Sequence, residues 1–300
     1  MSTQATPTRL PSRSYWLAAW FTFGAVALGS AVCATESGLA CPTWPGCFAH
    51  QPTPDGLHSA IEFTHRVVAF GSLVFLALAA WRGRRLADPR LRWFPVIALV
   101  AAIASGVFGM VIVLFSLPML LGLIDVAAAL VALCLISWAA VRLPDPRPAN
   151  GLARWTWSTV AVVIAMHLLG IAVAGEGSFV RCLGWPVWRI VDSDQHPGLQ
   201  WVRLGAGAVA AAMLIVAVAR AWRRPELRRL AAGLGAAWLA QLAMGQLIVG
   251  QFTGAEERHI YLAAVYSMLA GGIVWLLALL AARAADPEPA SPPPDVRAGG

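Results

Sequence analysis

The sequence predicts an all-α integral membrane protein whose eight transmembrane helices form two four-helix bundles related as parallel repeats. Three observations support this prediction. Of the 300 residues, 59% are hydrophobic and only 12% are charged, which is more apolar sequence than a soluble domain of this size needs. The hydrophobic residues fall into eight long runs, and the two halves of the chain repeat one loop pattern.

Each apolar run is long enough to cross the hydrocarbon core of a bilayer, which requires about 20 helical residues. The first run follows a polar segment and lacks a small-residue cleavage site, so we expect it to remain as the first helix. The predicted spans are residues 15–35, 61–81, 94–115, 118–141, 157–175, 200–219, 230–252 and 259–282.

The formal charge of +7 comes from arginine, because the chain contains no lysine. Arginine is concentrated in every second connection and is sparser, and balanced by acids, in the others. By the positive-inside rule, both termini are expected in the cytoplasm and the loops 36–60 and 176–199 outside a cell membrane. Scattered arginines in membrane connections are not a basic surface for nucleic acid, so that class is excluded.

The internal repeat divides the chain. Residues 1–14 form a cytoplasmic tail, 15–141 the first four-helix repeat and 142–156 a cytoplasmic linker. The second repeat covers 157–282, and the Pro-rich tail 283–300 is expected to be disordered. At a spacing of 141 the matched pairs are Gly29 with Gly170, Ser37 with Ser178, Cys41 with Cys182, Trp44 with Trp185 and Pro45 with Pro186.

The second predicted helix opens with the segment Glu62-Phe63-Thr64-His65-Arg66. Glu62 and His65 are three residues apart and therefore share one helical face. Ionisable groups are costly at such a position, and imidazole is a common axial ligand of heme iron. Glu62 is either a structural partner of Arg66 or a proton acceptor, and Arg66 either neutralises Glu62 or pairs with a heme propionate.

The outward loop before this helix contains Cys41 and Cys47, which are predicted to form a disulfide in an oxidising compartment. The bridge is either a structural staple or a redox-active pair, and a zinc site is less favoured. Cys33 and Cys134 lie within apolar runs and are interpreted as core residues. Cys182 has Trp188 where the repeat would place a second cysteine, so the second loop cannot close the equivalent bridge.

Three further polar residues interrupt predicted helices. His259 begins the eighth helix and is either an interfacial cap or a heme ligand. His167 is interpreted as a polar packing residue in the fifth helix. Asp125 in the fourth helix needs a partner or water. It aligns with His259 at a spacing of 134.

These residues resemble the heme A synthase family, membrane enzymes that oxidise a methyl group of heme O to a formyl group. The resemblance rests on the paired cysteines with Trp44-Pro45 between them, on the Glu62–Arg66 segment and on the duplicated helices over about 15–282. It implies that His65 is a first-half ligand of substrate heme O and that His259 is a second-half ligand of heme b. Asp125 and Val202 stand where the family has its other two histidines.

The resemblance implies catalytic roles for Glu62, Cys41 and Cys47, a cofactor-binding role for Arg66, and heme O synthase as the partner that supplies the substrate. A non-catalytic heme-binding relative, or a factor assisting terminal oxidase assembly, is the alternative that the missing histidines motivate. A small-molecule transporter fits the duplicated helices but explains neither the cysteine loop nor the Glu62–His65 face.

Overall fold

The chain was analysed as a computed structural model that describes residues 12–51, 53–115, 120–143, 150–173, 182–186, 197–251 and 258–284. For 120–121, 173, 197, 249–251 and 258–260 only the backbone is described. This part of the chain contains eight helices that are long and apolar enough to cross a membrane, as predicted. They are α1 Ser12–Ala34, α2 Leu57–Gly83, α3 Pro89–Phe115, α4 Leu120–Arg142, α5 Gly151–Val173, α6 Pro197–Trp222, α7 Arg228–Gln251 and α8 Arg258–Arg283.

Several helices begin earlier than hydropathy indicates, because their first turns are polar. Helix α1 starts inside the predicted tail and α5 inside the predicted linker. The side chain of Asn150 accepts a hydrogen bond from the Ala153 amide at 2.8 Å and so caps α5. Gly56, with φ of 96°, precedes α2, and this positive φ favours glycine. The extra turn places Glu62 and His65 deeper in α2 than predicted.

Each half of the chain closes into a ring of four helices. Helix α1 contacts α2 and α4, and α3 contacts the same two, while α5 to α8 repeat this pattern. The halves meet through α1 with α8, α4 with α8 and α4 with α5. At this interface Trp275 of α8 donates a hydrogen bond to the Ser137 hydroxyl of α4 at 2.9 Å.

The two rings are packed differently along their length. We call the side where α1 begins and α8 ends the terminal side, and the side that carries residues 35–56 and 182–186 the loop side. One core cluster is confined to the terminal side of the first ring, within 15–19, 76–79, 91–98 and 132–143. The other extends from Leu152 and Ala284 on the terminal side to Met166 and Trp185 on the loop side. The cluster within the first ring therefore lies at one end, while α1 and α4 also contribute Val26, Leu130 and Leu133 to the cluster that spans the second ring.

Candidate functional site

The loop before α2 is fastened to that helix by one arginine. The Arg66 guanidinium donates hydrogen bonds to the carbonyl oxygens of Thr43, Gly46 and Cys41, and to the Glu62 carboxylate. Four of its five N–H donors point at protein acceptors in these contacts. Of the two roles that the sequence left open for Arg66, the structure shows the pairing with Glu62.

Glu62 is the acid at the centre of this arrangement and is only 3% exposed. Its Oε2 accepts a hydrogen bond from the Cys41 amide at 2.8 Å, while Oε1 pairs with Arg66. A buried carboxylate is tolerated when it is paired and hydrogen-bonded in this way. Glu62 thus holds the first cysteine of the loop directly above α2.

The predicted cysteine pair is bonded. Cys41 and Cys47 form a disulfide with an S–S distance of 2.04 Å, and both residues are buried. Because both thiols are used, they are not available to ligate zinc. Cys134 is a buried free cysteine, as expected.

A second disulfide corrects the interpretation of Cys33 as a simple core residue. Cys33 at the end of α1 is bonded to Cys182, with an S–S distance of 2.07 Å across 149 residues of sequence. The second loop does not close on itself, as predicted, but it is tied to the other half. The repeat pattern missed this pairing because it compares equivalent positions, whereas the bond joins non-equivalent ones.

His65 lies on α2 against α1. A Cβ atom added to Gly29 would stand 3.0 Å from the His65 Cε1 atom, so the imidazole rests on the helix where a side chain is missing. The ring also approaches the backbone of Ala25. Its Nδ1 atom is buried and has no hydrogen-bond partner. A buried ring nitrogen without a partner is unusual in a folded protein.

Across the first ring from α2, helix α4 carries Asp125. Its carboxylate accepts a hydrogen bond from Ser105 of α3, which is the partner that the sequence required without identifying. Side chains added at Gly106 or Gly122 on these helices would meet nothing within 4 Å. His65 and Asp125 therefore lie on opposite helices of the first ring, on the loop side of the core cluster within it.

A hydroxyl network that sequence reasoning missed orders the start of the loop. The Ser37 hydroxyl lies 2.6 Å from the Thr35 hydroxyl and 2.8 Å from Nδ1 of His58, which is on the first turn of α2. Small polar residues at a helix end commonly bond to nearby groups in this way. The partner, His58, lies 21 residues further along the chain, and this separation hides the contact from a local motif search.

The loop side of the second ring has a different interior. Arg203 of α6 is buried and donates to the Gly184 carbonyl at 3.4 Å, so it meets its loop as Arg66 does. Tyr266 of α8 donates to the Trp185 carbonyl, and Gln241 of α7 donates to the Tyr266 carbonyl at 3.1 Å. Buried His167 of α5, with neither ring nitrogen bonded, lies near Arg203. All four helices thus converge on residues 184–185.

The positions in the second half where the sequence predicted heme ligands are less suited to bind iron than His65 is. Val202 of α6 is 56% exposed and points away from the buried interior. Leu199, which stands where the repeat would place an acid like Glu62, is also exposed. His259 lies in the first turn of α8, and its side chain is outside the described residues.

Comparison with known proteins connects this geometry to one family. The model of the COX15-CtaA family, described as cytochrome oxidase assembly protein, matches residues 12–277. The chain is 27% identical over 105 residues to the heme A synthase of Geobacillus thermodenitrificans, covering 34% of this chain and 33% of that protein. It is 21% identical over 276 residues to the heme A synthase of Shewanella oneidensis, covering 75% of this chain and 83% of that protein.

Proposed function

The chain belongs to the COX15-CtaA family of cytochrome oxidase assembly proteins, and we propose that it acts in heme A biosynthesis as a membrane oxidoreductase. The proposed reaction oxidises the methyl group of heme O to a formyl group. The observation that carries this proposal is the grouping of His65, Glu62 and the Cys41–Cys47 disulfide at the loop side of the first ring.

The residues of the first ring fit a heme substrate. His65 has a buried ring nitrogen without a partner, which suits an axial iron ligand. The core cluster within the first ring lies on the terminal side, so we place the apolar macrocycle between the helices on the loop side. Asp125, opposite on α4, replaces the family's second histidine in this half and is engaged by Ser105.

Glu62 is proposed to accept protons that oxidation of the methyl carbon releases. Arg66 and the Cys41 amide hold its carboxylate in one orientation, and positioned bases are effective because their geometry is set before reaction. Arg66 is proposed to act by positioning Glu62 and the cysteine loop, because its donors are already used there. Of the two roles considered for Arg66, we therefore propose the pairing with Glu62 and not the contact with a heme propionate.

The Cys41–Cys47 disulfide is proposed to take part in electron transfer at this site. Two observations support it: Glu62 bonds to the Cys41 amide directly, and Arg66 bonds to the Cys41 carbonyl. A disulfide that is reduced accepts two electrons and two protons, and an adjacent carboxylate can exchange those protons. Oxidation of a methyl group to formyl, with water as the oxygen source, releases four electrons and four protons, so the bond would be reduced twice and reoxidised each time by an electron acceptor outside this chain. The same contacts also serve a purely structural staple, so activity of the cysteine variants decides between the two roles.

The second ring does not fit a heme b ligated as in the family. Val202 cannot bind iron and faces outward, and residues 184–185 with Tyr266 and Arg203 fill the interior of the loop side. We therefore propose one heme site per chain, in the first ring, and we route no electron transfer through the second ring. The second ring serves as a scaffold that holds the end of α1, just before the first loop, through the Cys33–Cys182 disulfide.

The setting is proposed to be a cell membrane with both termini in the cytoplasm, on the basis of the arginine distribution. Heme O synthase is the proposed partner that supplies the substrate. A membrane-impermeant thiol reagent is expected to label Cys41, Cys47 and Cys182 in intact reduced cells. Labelling that requires membrane disruption would contradict this orientation.

The function is tested by heme O conversion with two variants of the purified protein. Glu62→Gln keeps the side-chain shape and removes the charge, so heme is expected to remain bound while conversion falls about 100-fold or more. His65→Ala removes the ligand, so heme itself is expected to be lost. If both variants keep heme and full conversion, the proposed site is wrong. Wild-type protein that binds heme without converting heme O would instead favour the non-catalytic relative.

A further inference from the structure

A cavity of about 300 Å³ lies on the terminal side, at the junction where the two rings meet through α4 and α5. It is separate from the loop-side site, because its α4 residues lie two to four turns further along that helix than Asp125. Five of its six lining side chains are apolar. The lining residues are Arg90, Phe94, Cys134, Leu135, Trp138 and Trp157.

The corresponding junction on the other side of the molecule is filled by the protein itself. Between α1 and α8, the ring of Trp275 lies 4.3 Å from that of Phe23 and 4.5 Å from that of Trp20, measured between centroids. Trp16 of α1 packs against both core clusters, and Trp157 lies 141 positions later in the repeat. Trp157 also packs against one core cluster, and it lines the cavity. At the same spacing Ala161 and Ile164 replace Trp20 and Phe23, so the α4–α5 junction lacks the aromatic rings that pack between α1 and α8.

The side chains that line the cavity indicate which kind of molecule could occupy it. Its walls are aromatic and aliphatic, which favours a hydrocarbon chain. Arg90 is exposed in the first turn of α3, where a lipid headgroup would lie. The only ion pair among the described residues is that of Arg66 with Glu62, so Arg90 makes none there. Exposed Arg154 lies one turn before Trp157 and adds positive charge to the same side.

We propose that this cavity binds an anionic phospholipid from the surrounding leaflet, with one acyl chain between α3, α4 and α5 and the phosphate at Arg90. Basic pockets between transmembrane helices commonly bind anionic headgroups, and guanidinium matches phosphate with two parallel hydrogen bonds. The lipid would complete the contact between the two rings. This inference is independent of the heme chemistry, because it uses neither His65 nor the cysteine loop.

The test is lipid retention measured by native mass spectrometry. The full chain is reconstituted in vesicles of equal phosphatidylglycerol and phosphatidylcholine with identical acyl chains, and is then extracted in mild detergent. Wild-type protein is expected to retain phosphatidylglycerol in preference. Arg90→Gln is expected to reduce that preference about fivefold, the factor for one arginine near an anionic headgroup. Arg82→Gln, which removes the same charge from the last turn of α2, is the matched control and is expected to keep the preference.

A second variant tests the cavity separately from the charge. Leu135→Trp adds volume to the lining and is expected to reduce retention of both lipids. Equal retention of the two lipids by wild-type protein would overturn the proposal, as would equal effects of Arg82→Gln and Arg90→Gln. Unchanged retention in Leu135→Trp would overturn the location of the acyl chain. Should Arg90→Gln fail to give monodisperse protein, Arg90→Lys keeps the charge, loses the two-pronged contact and is expected to show an intermediate preference.

Discussion

Trp44 and Trp185 occupy equivalent positions in the two repeats, yet Trp44 is 51% exposed and Trp185 is 4% exposed. The first loop rests on top of its ring and is closed by its own disulfide. Of the second loop, residues 182–186 are described, and there Trp185 joins the core and its carbonyl is bonded by Tyr266. Trp44 therefore lies at the surface of its ring, whereas Trp185 is part of the interior of the other.

The two halves differ around the arginine that bonds each loop. Arg66 and Arg203 each bond a carbonyl of the loop that precedes their helix. Only Arg66 has an acid one turn before it, since Leu199 replaces Glu62 in the second half. Both halves thus bond their loop through an arginine, whereas only the first has Glu62 and His65 at the positions that Leu199 and Val202 occupy in the second. This difference is why we propose a site in the first ring and a scaffold in the second.

The largest expected difference between the rings is in heme binding. His65→Ala should remove nearly all bound heme, because it deletes the proposed iron ligand. Val202→Ala, at the equivalent position of α6, should leave heme content unchanged. Pyridine hemochrome assays on both purified variants measure the effect. Equal loss from the two variants would place heme in both rings, and no loss from His65→Ala would remove the first-ring site.

The two disulfides are expected to contribute different amounts to the free energy of unfolding of the protein. In the chain-entropy description, a bond across 149 residues contributes about 5 kcal/mol and one across 6 residues about 2 kcal/mol to the free energy of unfolding. Cys33→Ser should therefore destabilise the protein more than Cys47→Ser in denaturant titrations. Heme O conversion should show the reverse order. If loss of the same disulfide had the larger effect on both unfolding and heme O conversion, the proposed division into a scaffold and a site would be contradicted.

Substitutions of Trp44 and Trp185 test the difference in packing between the two loops. Trp185→Ala opens a cavity in a packed core and should cost about 3–5 kcal/mol of unfolding free energy. Trp44→Ala removes a half-exposed side chain and should cost about 0.5 kcal/mol or less. Thermal unfolding of both variants by circular dichroism is the measurement. Similar losses would mean that the first loop is packed as tightly as the second.

The smallest expected effect concerns the fit of His65 on α1. Gly29→Ala introduces a Cβ atom 3.0 Å from His65 Cε1, so the ring must shift by a few tenths of an ångström. A strained side chain costs about 1 kcal/mol, or about fivefold in heme affinity. Gly205→Ala in α6 meets open space and should leave heme affinity unchanged. An unaltered heme titration of Gly29→Ala would show that His65 does not need this contact.

Many features of this structure depend only on residues close together in the chain and can therefore be predicted from the sequence. Eight apolar runs predict eight helices, because the length needed to cross a bilayer is set by each run alone. The spacing of Glu62 and His65 predicts their shared face for the same reason. The sequence analysis missed the starts of α1, α2 and α5 at Ser12, Leu57 and Gly151, because the hydropathy pattern does not include their polar first turns.

The sequence by itself determined the helices, the repeat and the Cys41–Cys47 pair, whose partners are six residues apart. Only the tertiary structure decided that Cys182 bonds Cys33, that Ser105 partners Asp125 and that residues 184–185 fill the second ring. These outcomes depend on which helix faces meet across the rings. Hydropathy and motif spacing act along the chain, whereas packing selects among partners that are distant in sequence.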